Sequence, residues 1–234
     1  APSRRQIFLL NALTNLDGQL RGLGNRLIVR KGDPLQVLTE ILQEVPETII
    51  FAEEDYSPYA IQRDHQVQSH LPLKLIVGLV IHHPQKVLKA DGSPYTVFTP
   101  YSKAWKSQPF STFSYPKPEK IPAYEHNLVS LPLPPATEFP GFIASSAEAR
   151  NRLDHFLQSP IFYYAQGRNQ LDQHGTSTLS PYLRFGLLSI RFAFQATVKA
   201  LESTSLVEEK KGVDTWINEL IWREFYISIL YHFP

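Results

Sequence analysis

The sequence predicts an α/β domain with a doubly wound parallel sheet, followed by an all-α segment. In the first half, short apolar runs alternate with helical patterns, which is typical of β-α-β units whose sheet is covered on both faces. Eight of the 19 prolines then lie between Pro109 and Pro140. Beyond them the apolar residues recur only at helical spacing, which predicts helices alone.

The chain begins with a predicted helix over residues 3–23, where apolar side chains fall three or four positions apart. The apolar run 27–29 predicts a strand. Gly32-Asp33-Pro34 then predicts a turn and the start of a second helix, because aspartate caps helices and proline suits their first turn.

Two further strands are predicted over residues 48–52 and 75–80, with a helix over residues 59–70 between them. Repeated β-α-β steps imply parallel strands. Because such a sheet normally begins with a strand, the opening strand of this domain is expected to be missing. The chain also contains no methionine, so we expect it to be part of something longer.

The second half starts after a proline-rich stretch, residues 109–140, that is predicted to be an extended surface connector. Ser145 and Glu148 have the spacing of a capping box before a helix. Later helices are predicted over residues 189–201 and 214–230. The predicted domains are an α/β domain over residues 1–115, a linker over 116–144 and a helical segment over 145–234.

Composition excludes several classes of protein. The formal net charge is only +1, so contact with nucleic acid requires a local basic surface. The absence of cysteine excludes disulfides and cysteine nucleophiles, and the histidines lack metal-ligand spacing, so no metal site is predicted. No apolar stretch reaches the roughly 20 residues of a membrane span. A cytoplasmic protein without a membrane partner is expected.

The last helical pattern carries an unusual stripe of aromatic and charged residues. Trp216, Glu219, Trp222, Arg223 and Tyr226 fall along one arc of a helix. One interpretation is a surface ion pair between Glu219 and Arg223, four residues apart, with tryptophans in an ordinary core. The other is a face turned toward a ligand that fills the gap and satisfies the charges.

A second segment, residues 175–180, places four hydroxyl side chains within six residues. Ser180-Pro181 has the pattern of a helix cap followed by a first-turn proline. Hydroxyls and free backbone amides at a helix start suit phosphate oxygens, although a capped loop with no ligand explains the same pattern.

Together these segments resemble the cryptochrome and DNA photolyase family. The resemblance rests on residues 55–64 and 87–105, on Tyr164 and Arg168 followed by residues 175–186, and on residues 216–226. It implies a fold in which the α/β domain binds an antenna chromophore and the helical domain binds FAD.

The resemblance also implies roles for individual residues. The residues implied to contact FAD are Tyr164, Thr176, Ser177, Thr178, Leu179, Ser180, Trp216 and Arg223. Those implied to meet DNA and its flipped-out lesion are Arg168, Glu219, Trp222, Arg223 and Tyr226. No side chain is assigned as catalytic, because the electron donor in this family is the flavin.

The implied activity is that of a deoxyribodipyrimidine photo-lyase, a carbon-carbon lyase that uses blue light and reduced FAD to repair cyclobutane pyrimidine dimers in DNA. Glu219 together with Trp222 favours dimer repair over the 6-4 branch of the family. The alternative is a cryptochrome-type photoreceptor that binds FAD and signals without repairing DNA. No protein partner is evident, and a monomer is expected.

The chain departs from the family pattern at both ends. The opening strand signature is absent, and residues 231–234 come where half of a helical FAD domain should still follow, so the fragment alone is expected to be inactive and to bind FAD poorly. The antenna chromophore, folate or deazaflavin, is not identified. Pro58-Tyr59 stands where folate-binding members tend to have Asn-Glu, which weakens the folate interpretation.

Overall fold

A computed structural model describes residues 3–112, 118–122, 128–137 and 139–234. The α-helices are α1 (Arg4–Gly22), α2 (Pro34–Glu44), α3 (Pro58–Gln68), α4 (Phe98–Lys106), α5 (Ser146–Gln158), α6 (Tyr164–Gly167), α7 (Ser180–Arg184), α8 (Ile190–Ser203) and α9 (Val207–His232). The strands are β1 (Ile50–Glu53) and β2 (Leu73–Ile76), and short 3-10 helices span Pro84–Lys86 and Pro160–Tyr163.

The two strands pair in parallel, with Ile50 opposite Leu73 and Glu53 opposite Ile76, and α3 connects them. The predicted order, α/β first and helical second, is confirmed. The predicted strand over residues 27–29 is wrong: Val29 instead exchanges hydrogen bonds with Ser130 and Leu131 of the proline-rich connector. Its backbone groups are therefore satisfied outside any sheet ladder.

Helix starts follow local capping chemistry. Ser3 forms a capping box with Gln6, and Asp33 accepts a hydrogen bond from the Gln36 amide at 3.0 Å. Ser145 also caps α5, but Glu148 does not complete the predicted box. Its carboxylate instead pairs with Arg152, one turn further on, at 2.7 Å.

Helix α9 is the centre of the second half and begins at Val207, seven residues earlier than the sequence predicts. It packs against α4, α6, α8 and the Pro160–Tyr163 turn. At Gly212 the helix passes so close to the Phe162 carbonyl that an added Cβ would overlap the oxygen. Glycine is therefore required at this crossing.

The core joins elements from both halves of the chain. Phe8 of α1 packs edge-on against Tyr182 at 5.5 Å, and Tyr101 of α4 packs against Phe225 of α9 at 5.1 Å. All four side chains are less than a tenth exposed. The helices of the α/β half therefore support the helices that carry the candidate site.

The proline-rich connector, residues 109–140, has neither helix nor strand in the parts that the structure describes, residues 109–112, 118–122, 128–137 and 139–140. The remaining residues of the connector, 113–117, 123–127 and 138, lie outside the described residues. Within the described part of the chain, no helix combines the length and the hydropathy that a bilayer crossing requires.

Candidate functional site

The hydroxyl-rich loop, residues 175–180, follows α6 and leads into α7. Contacts with the core and with Arg152 hold its conformation. Leu179 is 1% exposed and anchors the loop in the core. Thr178 adopts a left-handed conformation with φ 51°, which is uncommon for a β-branched residue. Arg152 donates to the Thr178 hydroxyl at 2.9 Å and to the Gly141 carbonyl at 2.7 Å. The loop conformation is therefore imposed by its neighbours.

Glycines set the distance between this loop and α6. A Cβ on Gly175 would overlap the backbone of Gly167, at the end of α6. The loop therefore passes directly beside the helix that carries Tyr164 and leads into Arg168.

Ser180 does not cap α7 as the sequence predicts. The capping position belongs to Leu179, Ser180 is the first helical residue, and no side chain caps this end. Helix α7 is only five residues long, so its dipole is small.

Trp216 joins the loop to helix α9. Its indole N–H donates to the Ser177 hydroxyl oxygen at 3.4 Å, and the side chain is nearly fully buried. The ring packs against Phe156 at 5.4 Å, and Phe156 in turn contacts Tyr164 edge-on at 5.7 Å. These three rings form an aromatic wall beside the hydroxyl-rich loop.

Arg168 and Glu219 form an ion pair at the rim of this wall, and each side chain is about a third exposed. The Arg168 guanidinium also lies 5.6 Å from the centre of the Tyr164 ring. Burial, and secondarily the Glu219 charge, raises the pKa of Tyr164, so its hydroxyl stays protonated and able to donate. The surface pair between Glu219 and Arg223 that the sequence allowed is not formed.

Trp222 lies one turn beyond Glu219 and is covered by other rings. Phe98 stacks on it with centroids 3.6 Å apart, and Tyr226 lies 5.6 Å away at a 25° angle. Tyr226 itself is 64% exposed. The structure therefore places the implied lesion platform inside an aromatic stack.

Arg223 points to a different place from Trp216. It donates to the Leu79 carbonyl at 2.7 Å, just beyond β2, and burial lowers its pKa. It lines a cleft of about 350 Å³ at the carboxyl ends of the two strands. Burial raises the pKa of Glu53 in this cleft, while Arg223 and Arg191 oppose that rise. Arg223 therefore lies at this cleft, whereas Trp216, on the same stripe of α9, contacts the hydroxyl-rich loop.

The cleft beside the hydroxyl-rich loop has a volume of about 360 Å³, within the usual range of ligand sites. Its lining consists of Glu148, Asn151, Arg152, His155, Phe156, Pro160, His174, Thr176, Ser177 and Thr178. It combines hydroxyls, a guanidinium and an aromatic face. Among the residues that the structure describes, no three His, Asp or Glu side chains gather in a metal-binding group.

Several residues that build the site were not identified from the sequence. Arg152 shapes the loop, and its spacing from Glu148 was the only local signal. Phe98 comes from a segment 124 positions before Trp222, which it contacts. Glu224 is 1% exposed and accepts hydrogen bonds from Ile81 and Trp105, partners that no local pattern indicates.

Comparison with known proteins agrees with this architecture. The family model described as DNA photolyase matches residues 1–123. An uncharacterised 31.6 kDa protein of Synechococcus sp. strain PCC 6716 is 35% identical over 94% of this chain and 82% of its own length. A deoxyribodipyrimidine photo-lyase of another Synechococcus strain is 33% identical over the whole of this chain and 52% of the photo-lyase.

A solved structure shows the same fold. The bacterial class III photolyase from Agrobacterium tumefaciens superposes with a TM-score of 0.88 at 24% identity, over 99% of this chain and 50% of the photolyase. Fold, motifs and family match therefore agree, and the chain belongs to the DNA photolyase family. It spans about half the length of the curated photo-lyases that it matches.

Proposed function

We propose that this chain carries part of a deoxyribodipyrimidine photo-lyase, which repairs cyclobutane pyrimidine dimers in DNA by light-driven electron transfer from reduced FAD. The supporting observation is the Trp216–Ser177 hydrogen bond, which ties helix α9 and its aromatic wall to the hydroxyl-rich loop that lines the first cleft. The proposed repair activity is that of the protein at its full natural length, acting in the cytoplasm as a monomer.

The chemistry of this cleft fits a flavin dinucleotide. The hydroxyls of Thr176, Ser177 and Thr178 and the Arg152 guanidinium suit diphosphate oxygens. Phe156 lines the cleft with an apolar ring, and Trp216 packs behind it. The residues proposed to hold FAD are Tyr164, Thr176, Ser177, Thr178, Leu179, Ser180 and Trp216. Bound and reduced, FAD would supply the light-driven electron, while the chain orients it and excludes water.

The surface at the rim of the aromatic wall is proposed to meet DNA. Arg168 and Glu219 are partly exposed, so the arginine can contact a phosphate and the free carboxylate oxygen can accept a hydrogen bond from a flipped-out pyrimidine. Trp222 would then pack against the lesion, and Tyr226 is exposed on the same surface. Arg223 is on the same helix but lines the second cleft, and it is proposed to act there.

The second cleft is the proposed site of an antenna chromophore, either folate or deazaflavin. Ligands of open parallel sheets bind at the carboxyl ends of strands, where Glu53 and Arg223 line this cleft. Arg223 and Arg191 donate to the carbonyls of Leu79 and Val80 at its edge, which holds the cleft in shape.

A cryptochrome-type photosensor is the second candidate, and one observation favours it. The Trp222 ring is covered by Phe98 and flanked by Tyr226, so the structure does not present an open platform for a lesion. The two functions share the flavin but differ in whether Trp222 recognises damaged DNA.

Two measurements on the protein at its full natural length test the proposal. Flavin absorbance should persist through desalting after incubation with FAD. Ser177→Ala should weaken FAD binding by about tenfold, because the proposed hydrogen bond from this hydroxyl to a charged diphosphate oxygen is lost. Ser203→Ala, which removes an exposed hydroxyl at the end of α8, is the matched control. Equal FAD affinity in the two variants would contradict the proposed site.

The second measurement separates repair from signalling. Trp222→Ala should weaken binding to dimer-containing DNA by about 1–3 kcal/mol, the usual cost of removing an aromatic platform for a base. Unchanged affinity for the dimer would favour the photosensor. Illumination of the complex, followed by quantification of intact pyrimidines, then measures repair directly.

A further inference from the structure

Helix α4 contributes a ring to the surface that faces the proposed lesion. Phe98, the first residue of α4, lies face to face with Trp222, with centroids 3.6 Å apart and ring planes only 5° apart. Phe225 contacts both rings edge-on, at 5.9 Å from Phe98 and 5.6 Å from Trp222. One face of the indole is therefore covered by a side chain from the first half of the chain.

The other neighbour of Trp222 is held less firmly. Tyr226 lies 5.6 Å from Trp222, is tilted by 25°, and is 64% exposed. Phe98 is partly buried and packs against the core that joins the two halves. Moving Tyr226 aside exposes little additional apolar surface, whereas moving Phe98 opens the core, so Tyr226 is the ring that a ligand can displace.

We propose that Phe98 is a positioning residue for lesion recognition, backing Trp222 while a flipped-out pyrimidine takes the place of Tyr226 beside the indole. This inference rests on the proposed repair function. A base stacks best on a ring whose orientation is already fixed, because less side-chain entropy is then lost on binding. Phe98 fixes the indole by parallel stacking, and Phe225 fixes both rings by edge contacts.

The affinity test compares Phe98→Leu with Phe98→Tyr in the protein at its full natural length. Binding is measured in the dark by fluorescence anisotropy, with a short duplex containing one cyclobutane thymine dimer and with the same duplex undamaged. Loss of the ring should weaken binding to the dimer about two- to tenfold, the range for an aromatic pair. Affinity for the undamaged duplex should not change, and Phe98→Tyr should restore the wild-type preference.

Phe192→Leu is the matched control, because this phenylalanine is 46% exposed on α8 and lies outside the stack. A spectroscopic readout accompanies the affinities. The near-UV circular dichroism band that Trp222→Phe removes reports the ordered indole, and Phe98→Leu should remove the same band. Phe98→Met, which fills similar space without a ring, replaces the leucine variant if that variant is unfolded.

The outcomes separate this inference from the repair function. If Trp222→Ala weakens dimer binding while Phe98→Leu and Phe98→Met retain wild-type affinity, Phe98 has no positioning role. If Trp222→Ala binds dimer and undamaged DNA as wild type does, the repair proposal fails and the role of Phe98 fails with it. Selective loss of dimer affinity in the ring-free variants, with rescue by tyrosine, supports the inference.

Discussion

Glu224 is a buried carboxyl whose titration should make the unfolding free energy of the chain depend on pH. Its side chain is only 1% exposed, and its oxygens accept hydrogen bonds from the Ile81 amide, the His82 amide at 3.2 Å and the Trp105 indole at 2.7 Å. Burial raises the pKa of this carboxyl from 4.5 to about 7, although these donors and the Arg223 charge act in the opposite direction. The perturbation is Glu224→Gln, which keeps the shape and removes the titration.

The direction in which stability changes with pH follows from proton binding. Between pH 4.5 and about 7 the folded chain holds a proton on Glu224 that the unfolded chain has released. The contribution of Glu224 to stability is therefore complete below pH 4.5 and is lost as the pH rises through about 7. At about 1.4 kcal/mol per pH unit, this window corresponds to a loss of ~3 kcal/mol.

Glutamine does not titrate, so the variant lacks this loss. Its amide has one acceptor oxygen, which can keep the His82 and Trp105 donors but leaves the Ile81 N–H facing an NH₂ group. That unpaired donor costs about 1–3 kcal/mol at every pH. The difference in unfolding free energy between variant and wild type should nevertheless move by ~3 kcal/mol in favour of glutamine from about pH 4 to about pH 8.

The assay is urea unfolding followed by far-UV circular dichroism at a series of pH values. Groups that titrate in both proteins largely cancel in the difference, so the change with pH isolates Glu224. Glu208→Gln makes the same chemical change on an exposed side chain of the same helix and controls for the substitution itself. Parallel curves for Glu224→Gln and wild type, or a shift in favour of glutamate as the pH rises, would refute the argument.

Further predictions concern close packing and the loop. Gly212→Ala should destabilise the chain by about 1–3 kcal/mol, because its methyl group overlaps the Phe162 carbonyl. Gly18→Ala, in a helix with open space around that position, should stabilise the chain by about 0.5–1 kcal/mol. Thermal unfolding measures both variants, and equal melting temperatures for the two would contradict the packing argument. Arg152→Gln should weaken FAD binding because Thr178 loses its partner, and flavin retention at wild-type level would contradict this role.

Local structure was largely predictable from the sequence. The predicted first helix, residues 3–23, differs from Arg4–Gly22 by one residue at each end. The Ser3 cap and the three-to-four spacing of apolar residues act within a single helical turn, so they can be recognised in isolation. The same reasoning located β1 and α3, where local turn residues separate strand from helix.

The end of β2 was not predictable in this way. The apolar run continues to Val80, but the strand ends at Ile76. The carbonyls of Leu79 and Val80 accept hydrogen bonds from Arg223 and Arg191, and the Ile81 amide donates to Glu224. These partners lie more than 100 positions away in the sequence, so no local pattern shows that they replace a sheet ladder.

The sequence by itself determined the order of helices and strands, the family motifs, and the aromatic and charged stripe on α9. Only the tertiary structure decided which partner each charged residue takes: Glu219 pairs with Arg168, and Arg223 binds the Leu79 carbonyl. The physical reason is the separation along the chain over which each interaction acts. Helical spacing and capping act over about four residues, whereas a buried charge takes whichever partner the packing of distant segments brings within hydrogen-bond distance.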